Sequence, residues 1–102
     1  MIKHIVTFQF EGSPEERREV ASRFADALMA LPEQIEVLES MEVGINSNPA
    51  EDWDLVLTAV VPNLADVETY SKHPAHQAAA SLIADHKKNR ACVDYYFEKG
   101  KF

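Results

Sequence analysis

Apolar and polar residues alternate along the start of the chain, between residues 2 and 10. One parity carries an imidazole among apolar side chains: Ile2, His4, Val6, Phe8 and Phe10. A period of two that is rich in β-branched and aromatic residues predicts a β-strand. Comparable patterns predict strands at 35–45, 53–61 and 90–97. The 53–61 segment is apolar on both parities, which indicates a strand covered on both faces.

A helix is predicted to follow the first strand. Ser13, Pro14 and Glu16 have the spacing of a capping box with proline at the first helical position. Apolar residues then recur at spacings of four, four and three, at Val20, Phe24, Leu28 and Leu31. Proline cannot continue a helix, so we expect this one to end at Pro32.

The other helical segment lies between the third and fourth strands, and proline divides it. Asn63 is the expected N-cap, and Leu64, Val67 and Tyr70 mark the expected inner side. Pro74 interrupts the pattern, and a further helix is predicted over about 75–88.

The predicted order is strand, helix, strand, strand, broken helix, strand. This is the βαββαβ pattern of a ferredoxin-like α+β fold, a four-stranded antiparallel sheet with helices on one face. Several apolar residues have the parity opposite to the main apolar sets: Ile5, Leu38, Val56, Val60 and Cys92. An uncovered apolar sheet face marks an interface. We therefore expect a two-fold homodimer in which two sheets face each other as an eight-stranded barrel.

Net charge and cysteine content limit the classes of binding partner and the cellular compartment that we expect. Ten lysines and arginines against seventeen acidic residues give a net charge of −7, which argues against nucleic acid and anionic membrane surfaces as partners. No apolar run is long enough to span a membrane. A single cysteine, Cys92, cannot form an internal disulfide, so the expected compartment is the cytoplasm. We expect this thiol to be buried and inert.

Four short segments resemble the stress-responsive A/B barrel (Dabb) family. They are Ile2-Lys3-His4-Ile5-Val6, Glu42-Val43-Gly44-Ile45-Asn46, Tyr70-Ser71-Lys72-His73-Pro74-Ala75-His76 and Asp94-Tyr95. The third is the most specific, because it resembles the family's tyrosine-x-x-histidine-proline-x-histidine signature. The resemblance extends from Met1 to about Phe97 and implies a dimeric α/β barrel. Residues 1–102 are accordingly expected to form one domain of this type.

The resemblance also implies candidate functions. The family includes a plant polyketide cyclase, in which the signature's tyrosine and last histidine transfer protons and the strand-one histidine lines the pocket. These positions correspond here to Tyr70, His76 and His4. The family also includes stress-induced plant proteins without established chemistry. A non-catalytic, stress-responsive structural protein is therefore the alternative hypothesis.

The residue chemistry is compatible with the cyclase hypothesis. Imidazole has an ordinary pKa of about 6.5 and suits a general base, while a phenol can donate to an enolate oxygen. His76 and Tyr70 are thus the predicted catalytic residues, and His4 and His73 are predicted to line the pocket. Structural alternatives remain for each: Tyr70 packs in the core, His76 caps a helix, His73 bonds backbone at the proline corner, and His4 is a satisfied core residue.

Neither a metal nor a cofactor is expected. Pro74 disrupts the His73-x-x-His76 spacing, and zinc sites normally add cysteine or carboxylate ligands in a closed set. No glycine-rich nucleotide motif is present. The expected ligand is a small apolar or aromatic molecule in a pocket between sheet and helices. If the protein is an enzyme, it is a cofactor-free cyclase or lyase that abstracts a proton next to a carbonyl.

Overall fold

The computed structural model describes residues 1–98, so the last four residues of the expected domain lie outside the described part. The helices and strands follow the predicted order: β1 (Ile2–Phe10), α1 (Pro14–Met29), a 3-10 turn (Leu31–Glu33), β2 (Ser40–Ile45), β3 (Leu55–Val61), α2 (Leu64–Lys72), α3 (Pro74–Ser81) and β4 (Lys87–Tyr96). This confirms the ferredoxin-like α+β fold. None of the described helices has the length and apolar character needed to cross a membrane.

The four strands form one antiparallel sheet in the order β2-β3-β1-β4. β1 is central, and its residues pair with both β3 and β4. His4 lies opposite Ala59 on one side and opposite Asp94 on the other. Residues directly opposite each other point to the same face of a sheet, so His4 and Asp94 project toward the same side.

The helices cover one face of this sheet and form the core with it. Every second residue of β1 is buried there, as the alternation predicted. The Phe8 ring meets the Phe24 ring of α1 edge to face, with centroids 5.5 Å apart, and Leu28 is fully buried. The capping box at Ser13 is present and begins α1 as expected.

The other sheet face carries apolar side chains that no described helix covers. Val56, Val93 and Tyr95 are 40%, 62% and 41% exposed, and the strand register places Val93 opposite Ile5 on this face. We call the face that holds these four residues the bare face. Two residues expected on it lie elsewhere, because Leu38 belongs to the buried core and Cys92 is opposite Val6 on the helix side.

Two predicted boundaries and one predicted burial were wrong, and local hydrogen bonds explain the two boundaries. β2 begins only at Ser40, since the backbone N–H of Ile35 bonds Leu31 and that of Leu38 bonds Ile35, which curls the chain into turns. α3 ends at Ser81, and i→i+3 bonds from Ala80 onward tighten the chain before β4. Leu64, expected inside, is 52% exposed in the first turn of α2.

Candidate functional site

The proline corner between α2 and α3 brings the signature's tyrosine and last histidine together. Asn63 caps α2 with a capping box, and α3 begins directly at Pro74. Tyr70 therefore lies in the last turn of α2, and His76 lies in the first turn of α3. Their rings meet edge to face with centroids 4.7 Å apart.

His73 holds this corner and does not line the cavity described below. Its backbone is extended at the N-cap of α3, and its Nδ1 accepts a hydrogen bond from the backbone N–H of Ala75 at 3.0 Å. Side-chain acceptors at the N-cap satisfy N–H groups that have no partner inside the helix. The predicted pocket-lining role of His73 is thus replaced by the backbone role given as its alternative.

A cavity of about 110 Å³ lies between the helix side of the sheet and the α2–α3 corner. Its floor is apolar, and its polar groups come from β1, from the corner and from β4. It contains three of the four predicted site residues, His4, Tyr70 and His76. The remaining lining residues are Val6, Phe8, Phe24, Leu57, Ser71, Ala80, Ile83, Lys87 and Arg90.

His4 has a dedicated partner on the neighbouring strand. Only 5% of the residue is exposed, and its Nδ1 lies 2.5 Å from Oδ1 of Asp94. Its ring meets Tyr70 edge to face at a centroid distance of 5.8 Å. Because a carboxylate accepts, the imidazole donates from Nδ1, and Asp94 fixes the orientation of the ring.

Tyr70 and His76, by contrast, each hold a buried polar atom without a protein partner. Tyr70 is fully buried, yet its hydroxyl has no hydrogen-bond partner in residues 1–98, and neither has Nδ1 of His76. Buried polar groups are nearly always paired, and leaving one unpaired costs about 1–3 kcal/mol. Only one other unpaired buried side-chain atom occurs in the described part, Nε of Arg17.

Burial sets the protonation of both residues. It lowers the pKa of His76, an effect that the neighbouring His4 and Arg90 side chains reinforce and hydrogen bonding to the backbone of Ser71 opposes. Burial also raises the pKa of Tyr70 far above its usual range. At neutral pH the site therefore holds a neutral imidazole and a protonated phenol. Nδ1 of His76 has no partner in residues 1–98, so it can act as an acceptor when the ring carries its proton on Nε2.

β4 supplies polar groups that the sequence pattern did not identify. Asp94 is named from the sequence only as part of a segment that resembles the family, and none of Lys87, Arg90 and Cys92 is assigned to a site there. The expectation of a buried Cys92 was wrong, since the thiol is exposed in this chain. Partial burial and the charge of Asp94 raise the pKa of the thiol. No local sequence signal identifies these residues. The antiparallel register brings them to the helix side, since it pairs Phe8 with Arg90 and Val6 with Cys92.

One group of side chains has donor atoms close enough for a metal ion. Nδ1 of His4, Sγ of Cys92 and Oδ1 of Asp94 lie within 4.8 Å of one another. In this structure the three are hydrogen-bonded, with Sγ of Cys92 at 3.5 Å from His4. Arg90 lies near enough to lower the pKa of the Cys92 thiol, and its positive charge opposes a cation there. The prediction of a metal-free site remains a prediction.

Two larger clefts contain none of the predicted residues. One, of about 430 Å³, lies where the start of α1 meets the β2–β3 connection and includes Arg17 and Asp54, which form an ion pair at 3.8 Å. The other, of about 550 Å³, includes Thr7, Trp53 and Val56 and lies beside the bare face.

Comparison with known proteins gives relatives that share this arrangement of strands and helices. A dimeric protein of unknown function from Bacteroides fragilis is 44% identical, with a TM-score of 0.90 over 94% of this chain and 95% of that one. A dimeric ferredoxin-like protein of unknown function from Thermobifida fusca is 26% identical, with a TM-score of 0.75 over 94% and 90%. Hydroxynitrile lyase from Passiflora edulis shares the fold at 12% identity, with a TM-score of 0.68 over 98% and 95%. Among curated proteins, no sequence matches this chain significantly.

The family comparison covers nearly the whole described part. The stress responsive A/B barrel domain matches residues 2–97, which include all four strands and the Tyr70–His76 corner. The chain therefore belongs to the stress responsive A/B barrel family.

Proposed function

We propose that the cavity binds a small carbonyl compound and that Tyr70 and His76 promote removal of a proton next to the carbonyl. The observation that carries this proposal is the pair of unpartnered buried atoms, the Tyr70 hydroxyl and Nδ1 of His76. One is a donor at neutral pH and the other an acceptor. A carbonyl oxygen and an adjacent C–H group would supply the two missing partners.

The reaction would start from a neutral imidazole and a neutral phenol. Nδ1 of His76 takes the proton from carbon, and the electron pair of the C–H bond moves to the carbonyl oxygen as an enolate. The Tyr70 hydroxyl donates a hydrogen bond to this oxygen, and the buried surroundings strengthen that bond. The enolate carbon then either recovers the proton from His76 or attacks a second carbonyl, as in a cyclase. In the second case the oxygen of the attacked carbonyl takes the proton from His76. No oxidant or reductant is consumed.

His4 and Asp94 would act as positioning residues in this scheme. The 2.5 Å contact orients the His4 ring, and that ring packs edge to face against Tyr70. Tyr70 is thereby held between two imidazoles, His4 on the sheet side and His76 on the corner side. Such support limits the positions that the phenol can adopt, which favours a preorganised donor.

We also propose that the chain forms a homodimer through the bare face. Its solved relatives from Bacteroides fragilis and Thermobifida fusca are described as dimeric, and Val93 is 62% exposed on this face. A Val93→Glu variant should sediment as a monomer, whereas Lys88→Glu on the same strand should stay dimeric. A wild-type monomer at low micromolar concentration would contradict the proposal.

The remaining proposals on partners and location follow from the sequence. A net charge of −7 disfavours nucleic acid and anionic membranes as partners. We keep the cytoplasm as the proposed compartment, because the chain has a single cysteine.

Deuterium exchange into a methyl ketone tests the proposed chemistry. The probe is 4-hydroxyacetophenone in heavy water at neutral pH, with loss of the methyl proton signal followed by NMR. We expect the wild type to accelerate exchange, and we expect His76→Asn and Tyr70→Phe to abolish most of that acceleration. His86→Asn, at a histidine outside the cavity lining, is the matched control. Exchange no faster than with buffer alone would contradict proton abstraction from this ketone.

The alternative hypothesis of a non-catalytic stress protein draws on one observation. The cavity volume of about 110 Å³ is smaller than the roughly 300–1,000 Å³ of usual ligand pockets. A structural protein would show no exchange with any ketone and no ligand-dependent rise in melting temperature. Saturable stabilisation by a ketone, lost in Tyr70→Phe, would exclude it.

A further inference from the structure

Two cationic side chains of β4, Lys87 and Arg90, line the same cavity as Tyr70 and His76. Their charge indicates a ligand with a negative charge. We infer that the ligand carries a carboxylate and that Arg90, assisted by Lys87, binds it. This inference rests on the proposed function, because it assigns a substrate class to the site described above. The substrate class is a small oxo acid, or an aromatic acid with a phenol or carbonyl group at its other end.

The strand register directs these two cations toward the cavity. Arg90 lies opposite Phe8 on the helix side of the sheet. The pairing then shifts, so that Phe10 is opposite Lys87 and Lys88 is passed over. Both Lys87 and Arg90 line the cavity. An unshifted register would have placed Lys88 opposite Phe10, so the irregularity selects which lysine reaches this side.

Neither cation is neutralised within the described part of the chain. The ion pairs found in residues 1–98 join His4 to Asp94, Arg17 to Asp54 and Lys72 to Glu68. Arg90 lies near enough to Cys92 to lower the pKa of the thiol, but a protonated thiol carries no charge that could neutralise it. In a chain with seventeen acidic and ten basic residues, two unpaired cations beside one cavity are a local exception to the overall charge.

The polar groups of the cavity come from two sides of it, which suits a ligand with two ends. Lys87 and Arg90 belong to β4, whereas Tyr70 and His76 belong to the corner between α2 and α3. The carboxylate of Asp94 is already engaged by His4, which leaves the Arg90 end for an external anion. A guanidinium binds a carboxylate through two parallel N–H donors. The opposite end of the ligand would then meet Tyr70 and His76.

A pair of probes of the same shape tests this inference. 4-Hydroxybenzoate and 4-hydroxybenzamide differ in charge at one end and share the phenol at the other. Binding is measured by calorimetry with the full-length protein at neutral pH and low salt. We expect the benzoate to bind at least about tenfold more tightly than the benzamide. Phenyl phosphate serves as a third probe, and its binding in preference to the benzoate would replace the carboxylate by a phosphate and overturn the inference.

Variants on β4 separate a local contact from overall charge. Arg90→Gln should weaken benzoate binding by about 10- to 100-fold and leave benzamide binding unchanged. Lys87→Gln should have a smaller effect of the same kind. Lys88→Gln makes the same change in net charge on the same strand, outside the cavity lining, and should change neither affinity. Benzoate binding weakened equally by Lys88→Gln and Arg90→Gln would overturn the inference.

The outcomes also distinguish this inference from the proposed function. 4-Hydroxybenzoate and 4-hydroxybenzamide could bind equally well, with an affinity that depends on Tyr70→Phe but not on Arg90→Gln. This result would overturn the inference of a carboxylate ligand and support the Tyr70–His76 site. Binding of neither probe would count against both. Circular dichroism of each variant establishes that it folds, and Arg90→Lys provides a second variant that keeps the charge while removing the paired N–H donors.

Discussion

His4 and Tyr70 lie side by side in the core, and they differ in how their polar atoms are satisfied. Both are buried, and their ring centroids are 5.8 Å apart. His4 has Asp94 at 2.5 Å, whereas the Tyr70 hydroxyl has no partner in residues 1–98. Burial and neighbourhood are nearly the same, so the difference lies in whether another element supplies a partner.

This difference separates residues that serve the fold from residues that await a ligand. A pairing such as His4–Asp94 joins two strands and adds to stability, since a hydrogen bond to a charged group contributes about 1.5–3 kcal/mol. An unpaired hydroxyl such as that of Tyr70 lowers stability. Costs of this kind are typical of sites where function needs a group to stay free. His76 belongs with Tyr70, because its Nδ1 is also unpaired.

The largest effect is expected when His76 is removed, and it should fall mainly on reactivity. His76→Asn deletes the proposed base, so we expect ketone exchange to slow by roughly 100-fold. The free energy of unfolding should fall by only about 1 kcal/mol, since the variant loses the ring contact with Tyr70 but leaves behind no protein partner of Nδ1. NMR exchange and urea unfolding measure the two quantities. A large fall in the free energy of unfolding with an unchanged rate of ketone exchange would mean that His76 supports the fold and is not the base.

Removing the partner of His4 should have the opposite pattern. Asp94→Ala leaves a buried imidazole without its acceptor, and we expect the free energy of unfolding to fall by about 1–3 kcal/mol. Asp85→Ala, which removes an exposed carboxylate from the turn before β4, is the control and should be nearly neutral. Urea unfolding at neutral pH gives both values. Equal values for the two variants would mean that the His4–Asp94 contact adds nothing to stability.

A smaller effect concerns pH. Burial lowers the pKa of His76 below its ordinary 6.5, so the unfolded chain binds a proton at this residue more readily than the folded chain. Its contribution to stability is therefore fully present above pH 6.5 and is lost as pH falls from there through the lowered pKa of the folded state. Urea unfolding between pH 7 and 5 should show a shallower decline for His76→Asn than for the wild type. If the free energies of unfolding of the two proteins declined in parallel with pH, His76 would have the same pKa in the folded and the unfolded chain.

The sequence pattern was sufficient for the fold, because its signals are local. Alternation fixed the inner face of β1, and the capping residues at Ser13 and Asn63 marked two helix starts. Boundaries failed where backbone hydrogen bonds inside turns competed with the strand ladder, as at Ile35. Parity was assigned wrongly to Leu38 for the same reason, since this residue lies outside β2.

The site was predictable only in part, because half of it depends on pairing between distant strands. The family signature identified Tyr70 and His76, and the structure places both beside one cavity. The register of β4 on β1 brings Arg90 to that cavity and Asp94 to His4, and nothing in the local sequence specifies this register. His73 illustrates the reverse case, a signature residue whose ring bonds the backbone of its own helix.

Unfolding of Tyr70→Phe tests the central claim most directly. If the hydroxyl has no partner in the protein, its removal leaves the free energy of unfolding unchanged or raises it by up to about 1 kcal/mol, while the acceleration of ketone exchange disappears. Urea unfolding at neutral pH, with the wild type measured alongside, gives the value. A loss of more than about 1 kcal/mol would show that the hydroxyl is already bonded within the folded protein, which would contradict its role as a free donor.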